Sequence, residues 1–271
     1  MSEQATTSLD RPTAVRLAAD RLEQALLEAT ATAPVRGVLG RTDIAAAYQV
    51  QEILTSRRLA AGQRIVGRKI GLTSPAVQTQ LGVDQPDFGV LFDSMVVADG
   101  GVVDTSTLIQ PKAEAEVAFV LGADLDGDAD SITLDRVMAA VDVAVAAIEI
   151  VDSRNADWDI TITDTVADNA SSAMYVLGTE RIALSEFRPV DVTMTLAKNG
   201  DLVSAGNGEA CLGDPLNALL WLARTVAAYG APLRAGEVVL SGALGPMVPV
   251  GPGAEVVAEL STLGRVSVSF A

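Results

Sequence analysis

The chain of 271 residues carries 35 acidic and 19 basic side chains, which gives a formal net charge of -16 at pH 7. So acidic a surface repels the phosphates of nucleic acids and of anionic membranes, and both are therefore disfavoured as partners. The sequence has no histidine and one cysteine, Cys211, which excludes histidine bases, His-ligated zinc and an internal disulfide. We interpret Cys211 as structural, because a catalytic thiolate would have no histidine partner.

The N-terminal part of the chain predicts helices. Residues 12–31 carry apolar side chains at the spacing of one helical face. Thr42 or Asp43 would cap a second helix that ends near Gly62. The start of the chain lacks the pattern of a signal peptide, and no uninterrupted apolar run is long enough to span a bilayer. We therefore expect a cytoplasmic protein.

Strands dominate from residue 65 onward. Residues 65–72 predict a short strand, whereas the Gly-, Pro- and Asp-rich residues 73–100 predict a long structured loop, a feature that is usually functional. Five further strands are predicted at Ala115–Leu121, Val190–Lys198, Glu237–Ser241, Ala254–Leu260 and Val266–Phe270.

Two helices are predicted among these strands. They are Leu134–Ala147 and Pro215–Tyr229, and Gly230 closes the second. The order of elements predicts an α+β, or mixed β, fold rather than a doubly wound one. Residues 1–65 would form a helical N-terminal part, and residues 66–271 a β-rich catalytic body.

Two glutamates, Glu114 and Glu116, stand at the start of an apolar strand and give the sharpest chemical signal. Side chains two residues apart on a strand point to the same face. Two adjacent carboxylates repel each other unless a proton or a cation lies between them. A hard divalent ion, Mg²⁺ or Mn²⁺, is the natural partner of oxygen ligands. The spacing alone favours the alternative, an exposed strand face with two solvated acids.

Glu149 changes that balance, because it lies within the apolar run Val145–Val151. A carboxylate in such a run is expected to be buried, and a buried charge must be paired or metal-bound. The alternative to a metal is an ion pair with an arginine such as Arg154. Combined with Glu114 and Glu116, Glu149 makes a metal site with three carboxylates the better interpretation.

Lys69 lies between two glycines in the segment Gly67–Thr73, which indicates a close approach of the backbone to another group. Near a metal-bound anion, such a lysine could bind a carboxylate or shuttle a proton. The alternative is a surface lysine on a strand. The segment lacks the spacing of a phosphate-binding loop.

Three further segments carry weaker signals. In Leu81–Gly89, Asp87 could act as a base or orient a water molecule, but its surroundings are also ordinary turn chemistry. The small polar side chains of Asp164–Ser172 could form a pocket wall, or only a loop with a helix cap. The glycine-rich turn Leu240–Met247 could hold an anion on its N–H groups, or simply connect two strands. Each segment by itself favours the plainer interpretation.

Together and in this order, the five segments resemble the 2-keto-4-pentenoate hydratase family of the fumarylacetoacetate hydrolase superfamily. The resemblance extends from about Tyr48 to Phe270. Residues 67–89, which include Gln85–Gly89, are similar to the hydratase branch rather than to the 4-oxalocrotonate decarboxylases. One departure is Lys112, where the hydratases more often carry an arginine, and the positive charge is kept.

The resemblance implies hydration of 2-hydroxypenta-2,4-dienoate or a close homologue to a 4-hydroxy-2-oxo acid, in aromatic or steroid ring catabolism. It also implies a divalent metal (Mg²⁺ or Mn²⁺), a homo-oligomer, and a pathway aldolase or decarboxylase as a partner protein. The implied site residues comprise the metal ligands Glu114, Glu116 and Glu149, the acid–base or substrate-contacting residues Lys69 and Asp87, and the substrate-binding residues Thr73, Asn169, Ser171, Gly242 and Leu244.

Three alternatives to a hydratase remain. A 4-oxalocrotonate-type decarboxylase would use the same metal site. An acylpyruvate hydrolase is less favoured, because the hydrolases of the superfamily usually rely on a histidine and the chain has none. A non-catalytic subunit that scaffolds a partner enzyme is also less favoured, because the three glutamates and Lys69 are all present.

Overall fold

The computed structural model describes residues 9–74, 78–79 and 83–271. The α-helices of these residues are α1 Arg11–Leu27, α2 Arg36–Leu39, α3 Ile44–Ala60, α4 Leu134–Ala140, α5 Ile162–Ala167 and α6 Pro215–Ala228. The strands are β1 Ile65–Gly71, β2 Asp87–Phe92, β3 Val96–Val97, β4 Gly101–Val103, β5 Lys112–Leu121, β6 Val141–Val151, β7 Ser172–Leu177, β8 Thr193–Lys198, β9 Asp201–Asn207, β10 Val238–Ala243, β11 Val248–Pro249, β12 Glu255–Leu260 and β13 Gly264–Phe270.

Two sheets form the body of the protein. The larger sheet has the strand order β2-β1-β10-β5-β6-β7-β3, with β11 also paired to β5, and the smaller has the order β4-β13-β12-β8-β9. Odd-numbered side chains of β5, such as Val117 and Phe119, enter a core that β12, β13 and α6 share. Because strand side chains alternate, Glu114 and Glu116 point to the opposite face of the larger sheet.

The N-terminal helices pack against α5 of the body. Leu22 of α1 and Val50 of α3 share a buried apolar cluster with Ile162 and Val166 of α5. This packing fixes α5, and α5 leads directly into the segment that precedes β7. The division of the chain at residue 65 remains a prediction.

Several predictions from the sequence are confirmed. The protein is α+β, and β1 covers almost the whole predicted strand. The Asp43 carboxylate caps α3 by accepting the Ala46 N–H at 2.9 Å. Gly230, with φ of 75°, follows α6. The first helix ends at Leu27, four residues earlier than predicted. Within the described residues, no helix is both long and apolar enough to cross a membrane.

The prediction of one helix over Leu134–Ala147 is wrong. Helix α4 ends at Ala140, and β6 starts at Val141. Alanines in the run suit a helix, but Val141, Val143 and Val145 are β-branched and alternate with smaller side chains. Tertiary packing resolves the ambiguity, because β6 pairs with β5 on one side and β7 on the other.

The prediction of a loop over residues 73–100 is also wrong in part. Residues 75–77 and 80–82 lie outside the described residues, but β2 and β3 fall within the segment. Every residue of β2 is buried, so its apolar run lacks the alternation that marks a half-buried strand. Strands β4, β7, β9 and β11 and helices α2 and α5 were not predicted, and β8 begins three residues later than expected.

Candidate active site

Three carboxylates meet on the face of the larger sheet that is turned away from the main core. Strands β5 and β6 are antiparallel, and their register places Glu114 directly opposite Glu149. Glu116 lies two residues further along β5 and on the same face. One oxygen from each carboxylate lies within 4.8 Å of the others. The structure thus brings these three side chains, here called the carboxylate triad, into one cluster.

The carboxylate triad carries more negative charge than its surroundings neutralise. Glu116 and Glu149 are fully buried, and Glu114 is 9% exposed. The Gly242 N–H donates to Glu116 Oε2 at 2.6 Å, but Glu116 Oε1 and both oxygens of Glu149 accept no hydrogen bond from the described residues. Lys69 Nζ lies 3.2 Å from Glu149 Oε2 as an ion pair without hydrogen-bond geometry. Buried charged oxygens without partners are costly, so this donor set fits a bound cation.

The electrostatics of the carboxylate triad point the same way. Burial, and after it the charge of Glu149, raises the pKa of Glu114 to about 7. Burial and the charges of Glu149 and Glu114 raise the pKa of Glu116 well above its usual range. At neutral pH, protons and a divalent cation would therefore compete for the same carboxylate oxygens.

Lys69 lies at the centre of this charge cluster. Its side chain is only 3% exposed, and its ammonium donates a hydrogen bond to the Ala170 carbonyl at 2.9 Å. Burial by itself lowers the pKa of Lys69, but the charges of the surrounding acids, led by Glu149, outweigh burial and raise it. Lys69 therefore stays protonated at neutral pH. The alternative of a surface lysine is wrong.

Glu149 does not pair with Arg154, as the alternative to a metal had suggested. Arg154 Nε instead donates to Asp168 Oδ1 at 2.5 Å, and both of these residues are buried. The ion-pair partner of Glu149 is Lys69 of β1, in the larger sheet but separated from β6 by two strands. The arginine is therefore occupied elsewhere.

Asp87 is the first residue of β2, where it is paired with Gly71 of β1. It is buried, Thr165 Oγ1 donates to its Oδ2 at 3.0 Å, and its Oδ1 accepts no hydrogen bond from the described residues. Burial raises its pKa, although Lys69 and Thr165 act in the opposite direction. The interpretation of Asp87 as an ordinary turn residue is wrong.

Gly71 provides the space in which Lys69 and Asp87 approach each other. A Cβ atom at residue 71 would lie 2.2 Å from Asp87 Oδ1 and 3.5 Å from Lys69 Nζ. Any side chain there would displace the Asp87 carboxylate. The close approach that the glycines around Lys69 indicated is therefore present, and the neighbouring group is a carboxylate.

Comparison with known proteins identifies the family. The family described as fumarylacetoacetate (FAA) hydrolase C-terminal matches residues 64–270. The TodF product hydratase of Pseudomonas putida F1 is 54% identical over 96% of this chain and 97% of its own. A 2-keto-4-pentenoate hydratase of Burkholderia vietnamiensis is 52% identical over 93% of this chain and 95% of its own. The chain belongs to the 2-keto-4-pentenoate hydratase family. Membership makes it an enzyme of the hydro-lyase type and confirms the resemblance seen in the sequence.

A solved structure of the sister branch is closely similar to this hydratase family member. The 4-oxalocrotonate decarboxylase from Pseudomonas putida G7, complexed with magnesium and adipate, superimposes with a TM-score of 0.91. It is 37% identical, and the match covers 97% of this chain and 99% of the decarboxylase. The family's two branches therefore share one fold, and the fold alone does not separate their activities.

A cavity of about 610 Å³ opens beside the carboxylate triad of this hydratase family member. Its polar lining includes Lys69, Asp87, Glu114, Thr165 and Ser171. Its apolar lining includes Leu72, Val151, Trp158, Ile160, Pro246 and Met247. A second, larger cavity of about 710 Å³ lies between α1 and α3, and no residue of the carboxylate triad lines it. The candidate active site is therefore the cavity beside the triad.

The substrate-binding residues that the family resemblance implied fall into two groups. Thr73 and Ser171 line the cavity. Asn169, Gly242 and Leu244 are not among its lining residues. The Asn169 side chain binds the backbone of β2, the Gly242 N–H binds Glu116, and Leu244 is fully buried in the core. In this structure these three residues lie behind the cavity lining and contact other protein groups.

Four residues that the sequence did not single out as site residues contribute to the site of this family member. Thr165 holds Asp87, the Ala170 carbonyl holds Lys69, and Lys112 and Trp158 line the cavity. Lys112 Nζ lies 4.0 Å from the centre of the Trp158 ring, a cation–π contact. Lys112 had a usable signal, since it shares a strand face with Glu114 at the same two-residue spacing. Thr165 and Ala170 lie in the segment Asp164–Ser172, for which the sequence offered a pocket wall as one interpretation, whereas Trp158 depends on long-range packing.

Proposed function

We propose that the protein hydrates a short 2-hydroxy-2,4-dienoate, such as 2-hydroxypenta-2,4-dienoate, to a 4-hydroxy-2-oxo acid. The observation that carries this proposal is the buried carboxylate triad with unsatisfied oxygens beside Lys69 and Asp87. The hydratase names of relatives with more than half of their residues identical support the same activity. The pathway is the catabolism of aromatic or steroid rings.

Glu114, Glu116 and Glu149 would hold the metal, Mg²⁺ or Mn²⁺. All three offer oxygen, which both ions prefer, and the magnesium in the related decarboxylase supports this assignment. A bound ion would supply Lewis-acid stabilisation for the negative charge that develops on the C2 oxygen of the substrate. The Gly242 N–H fixes the Glu116 carboxylate in position.

Asp87 transfers protons, and Lys69 stabilises the negative charge of the substrate. Thr165 fixes Asp87 Oδ2, and Asp87 Oδ1 is the atom that moves protons, first in tautomerising the dienol to a 2-oxo-3-enoate and then in adding water at C4. Burial raises its pKa above the usual carboxyl range, so Asp87 is a stronger base than a solvent-exposed aspartate. Lys69 stays protonated and stabilises the anionic substrate.

Decarboxylation is the second candidate, and the similarity to the solved decarboxylase favours testing it. The purified protein with Mg²⁺ should consume 2-hydroxypenta-2,4-dienoate, seen as a loss of its ultraviolet absorbance, and form a 4-hydroxy-2-oxo acid. Incubation with 4-oxalocrotonate should release little carbon dioxide. Rapid release of carbon dioxide with no hydration of the dienoate would reverse the assignment.

The metal-free protein is expected to be more stable at pH 6 than at pH 8. A carboxyl whose pKa is raised on folding stabilises the protein below its unfolded pKa, and this stability is lost as the pH rises through the folded pKa. For Glu114 the stability is lost between the usual pKa of a glutamate and about pH 7, and Glu116 acts in the same direction. No histidine titrates in this range, because the chain has none.

Thermal unfolding with a chelator at the two pH values measures this difference. Added Mg²⁺ should raise the Tm mainly at pH 8 and so remove the difference, because the cation replaces the protons. A metal-free protein that is more stable at pH 8 would contradict the assigned electrostatics. The variant Glu114→Gln is the control, since it should weaken the pH dependence.

Trp158 is expected to limit the length of the substrate chain. Trp158 and Lys112 line both the cavity beside the carboxylate triad and an adjoining cavity of about 370 Å³. The Trp158 indole N–H donates a hydrogen bond to the Gln110 carbonyl at 3.0 Å. Trp158→Ala should join the two cavities. The ratio of kcat/KM for 2-hydroxyocta-2,4-dienoate to that for the five-carbon substrate should then rise by about tenfold or more.

Trp158→Phe is the matched control for that measurement. It loses the same indole N–H bond but keeps an aromatic ring between the two cavities, so its ratio should stay near that of the wild type. An unchanged ratio in Trp158→Ala would show that the substrate extends in another direction.

The assembly and the location of the protein stay predictions. We expect a homo-oligomer in the cytoplasm and a pathway aldolase or decarboxylase as a partner. Light scattering on the purified protein measures the number of subunits, and co-purification with the pathway enzymes tests the partner.

A further inference from the structure

A run of left-handed residues lies between α5 and β7. Asn169, Ala170 and Ser171 have φ angles of 54°, 51° and 55°. Residues other than glycine adopt this conformation at a cost, and they persist in it where the surrounding structure over-determines it. Ala170 and Ser171 are also buried. Three such residues in succession, here called the left-handed turn, therefore need an explanation.

The left-handed turn is held from both ends. At its start, Asp168 receives hydrogen bonds from Arg154 Nε at 2.5 Å and from the Arg154 N–H at 2.8 Å. The Asn169 amide bonds both backbone groups of Val90 in β2, at 2.7 and 2.9 Å. At its end, the Asp152 N–H donates to the Ser171 carbonyl at 2.8 Å. These contacts fix the residues on either side, so that the left-handed backbone of Ala170 sets the direction of its own carbonyl.

The middle residue of the turn faces the reacting groups. The Ala170 carbonyl accepts the Lys69 ammonium at 2.9 Å, and Lys69 also lies 3.2 Å from Glu149. Asp87 lies across the space that Gly71 leaves open. We propose that the left-handed turn is a positioning device, in which Ala170 directs its carbonyl at Lys69 and so fixes the ammonium between Glu149 and Asp87.

Ala170 is thus a positioning residue that acts through Lys69. This inference rests on the proposed function, because it takes Lys69 to act on the substrate. A purely structural turn would work equally well with glycine, which adopts the left-handed conformation without strain. A positioning turn would not, because glycine gives the carbonyl a wider range of directions.

The variant Ala170→Gly separates these two roles. Its Tm should equal or exceed that of the wild type, because glycine relieves the left-handed strain. Its kcat should fall by about 10²-fold, since displacement of a reacting group by an ångström has that effect. KM should stay within about twofold, and the affinity for Mg²⁺ measured by calorimetry should not fall, because the carboxylate triad is untouched.

Ala29→Gly is the matched control. Ala29 follows α1, has a φ of 45°, and lies outside the cavity, so it undergoes the same substitution in the same backbone region. Its kcat should equal that of the wild type. A crystal structure of Ala170→Gly should show Lys69 Nζ displaced from the carbonyl of residue 170.

A kcat within about twofold of the wild type in Ala170→Gly, with Lys69 in place, would overturn the positioning role. Failure of the proposed function is seen separately, as wild-type protein that does not hydrate the dienoate. If the wild type instead releases carbon dioxide from 4-oxalocrotonate, the same ratio of variant to wild type is measured on that reaction. The displacement of Lys69 in the crystal is independent of either activity.

Discussion

Glu149→Gln is expected to abolish metal-dependent hydration while leaving the protein folded. The substitution keeps the size of the side chain but removes one of the three carboxylates that would hold the ion. A catalytic metal supplies several kcal/mol of transition-state stabilisation, and 1.4 kcal/mol corresponds to a factor of ten, so kcat should fall by about 10³-fold. Calorimetry should show a matching loss of affinity for Mg²⁺.

The fold should survive this change for an electrostatic reason. Glu149 raises the pKa of both Glu114 and Glu116, so its neutralisation relieves repulsion within the buried cluster. Lys69 loses its nearest carboxylate, but the charges of Glu114, Asp87 and Glu116 still act on it. The metal-free variant should therefore unfold within a few degrees of the metal-free wild type.

Glu237→Gln is a matched control for Glu149→Gln. Glu237 precedes β10 and lies 3.6 Å from Arg68 of β1, also in a largely buried ion pair, but it does not line the cavity. Its loss should lower the Tm without changing the affinity for Mg²⁺. If Glu149→Gln kept full turnover, or if chelator-treated wild-type protein did, the metal assignment would fail.

Lys69→Met is expected to separate metal binding from catalysis. Methionine fills much of the volume of the buried side chain but carries no charge, so the cavity loses the Lys69 ammonium and keeps that of Lys112. We expect kcat to fall by about 10²- to 10³-fold, the usual effect of removing a preorganised electrostatic group. The affinity for Mg²⁺ should be unchanged or higher, because Lys69 both occupies Glu149 and repels a second cation.

A lower kcat together with an unchanged or higher affinity for Mg²⁺ would distinguish Lys69 from a structural residue. Calorimetry with Mg²⁺ and turnover of the dienoate on the same preparation measure both quantities, and thermal unfolding confirms that the variant is folded. Near-normal turnover in Lys69→Met would remove Lys69 from the chemistry. Loss of metal binding together with turnover would mean that Lys69 mainly holds the carboxylate triad in shape.

Local sequence was sufficient for part of the site. The two-residue spacing of Glu114 and Glu116 places them on one face in any strand, whatever the rest of the fold. The apolar neighbours of Glu149 required its burial and hence a charged partner. The absence of histidine in turn directed the search for acid–base groups to carboxylates and lysine. These inferences depend on residue type and spacing alone.

Local sequence was not sufficient where a segment suited two structures. The run from Leu134 to Ala147 was assigned to one helix, although its second half is β6, which carries Glu149. Asp87 looked like a turn residue because the buried strand that it opens shows no alternation. In both cases strand pairing decides the conformation, of β6 with β5 and β7 and of β2 with β1, and the pattern of the segment does not reveal the partner.

The sequence by itself determined the chemical character of this protein: an acidic α+β enzyme whose oxygen-rich, histidine-free site suits a hard cation. Only the tertiary structure decided which groups meet. Register between β5 and β6 sets Glu149 against Glu114, and the packing of β1 brings in Lys69 as its ion-pair partner. The physical reason is that side-chain identity fixes what a residue can bind, whereas strand pairing across long sequence separations fixes what lies within its reach.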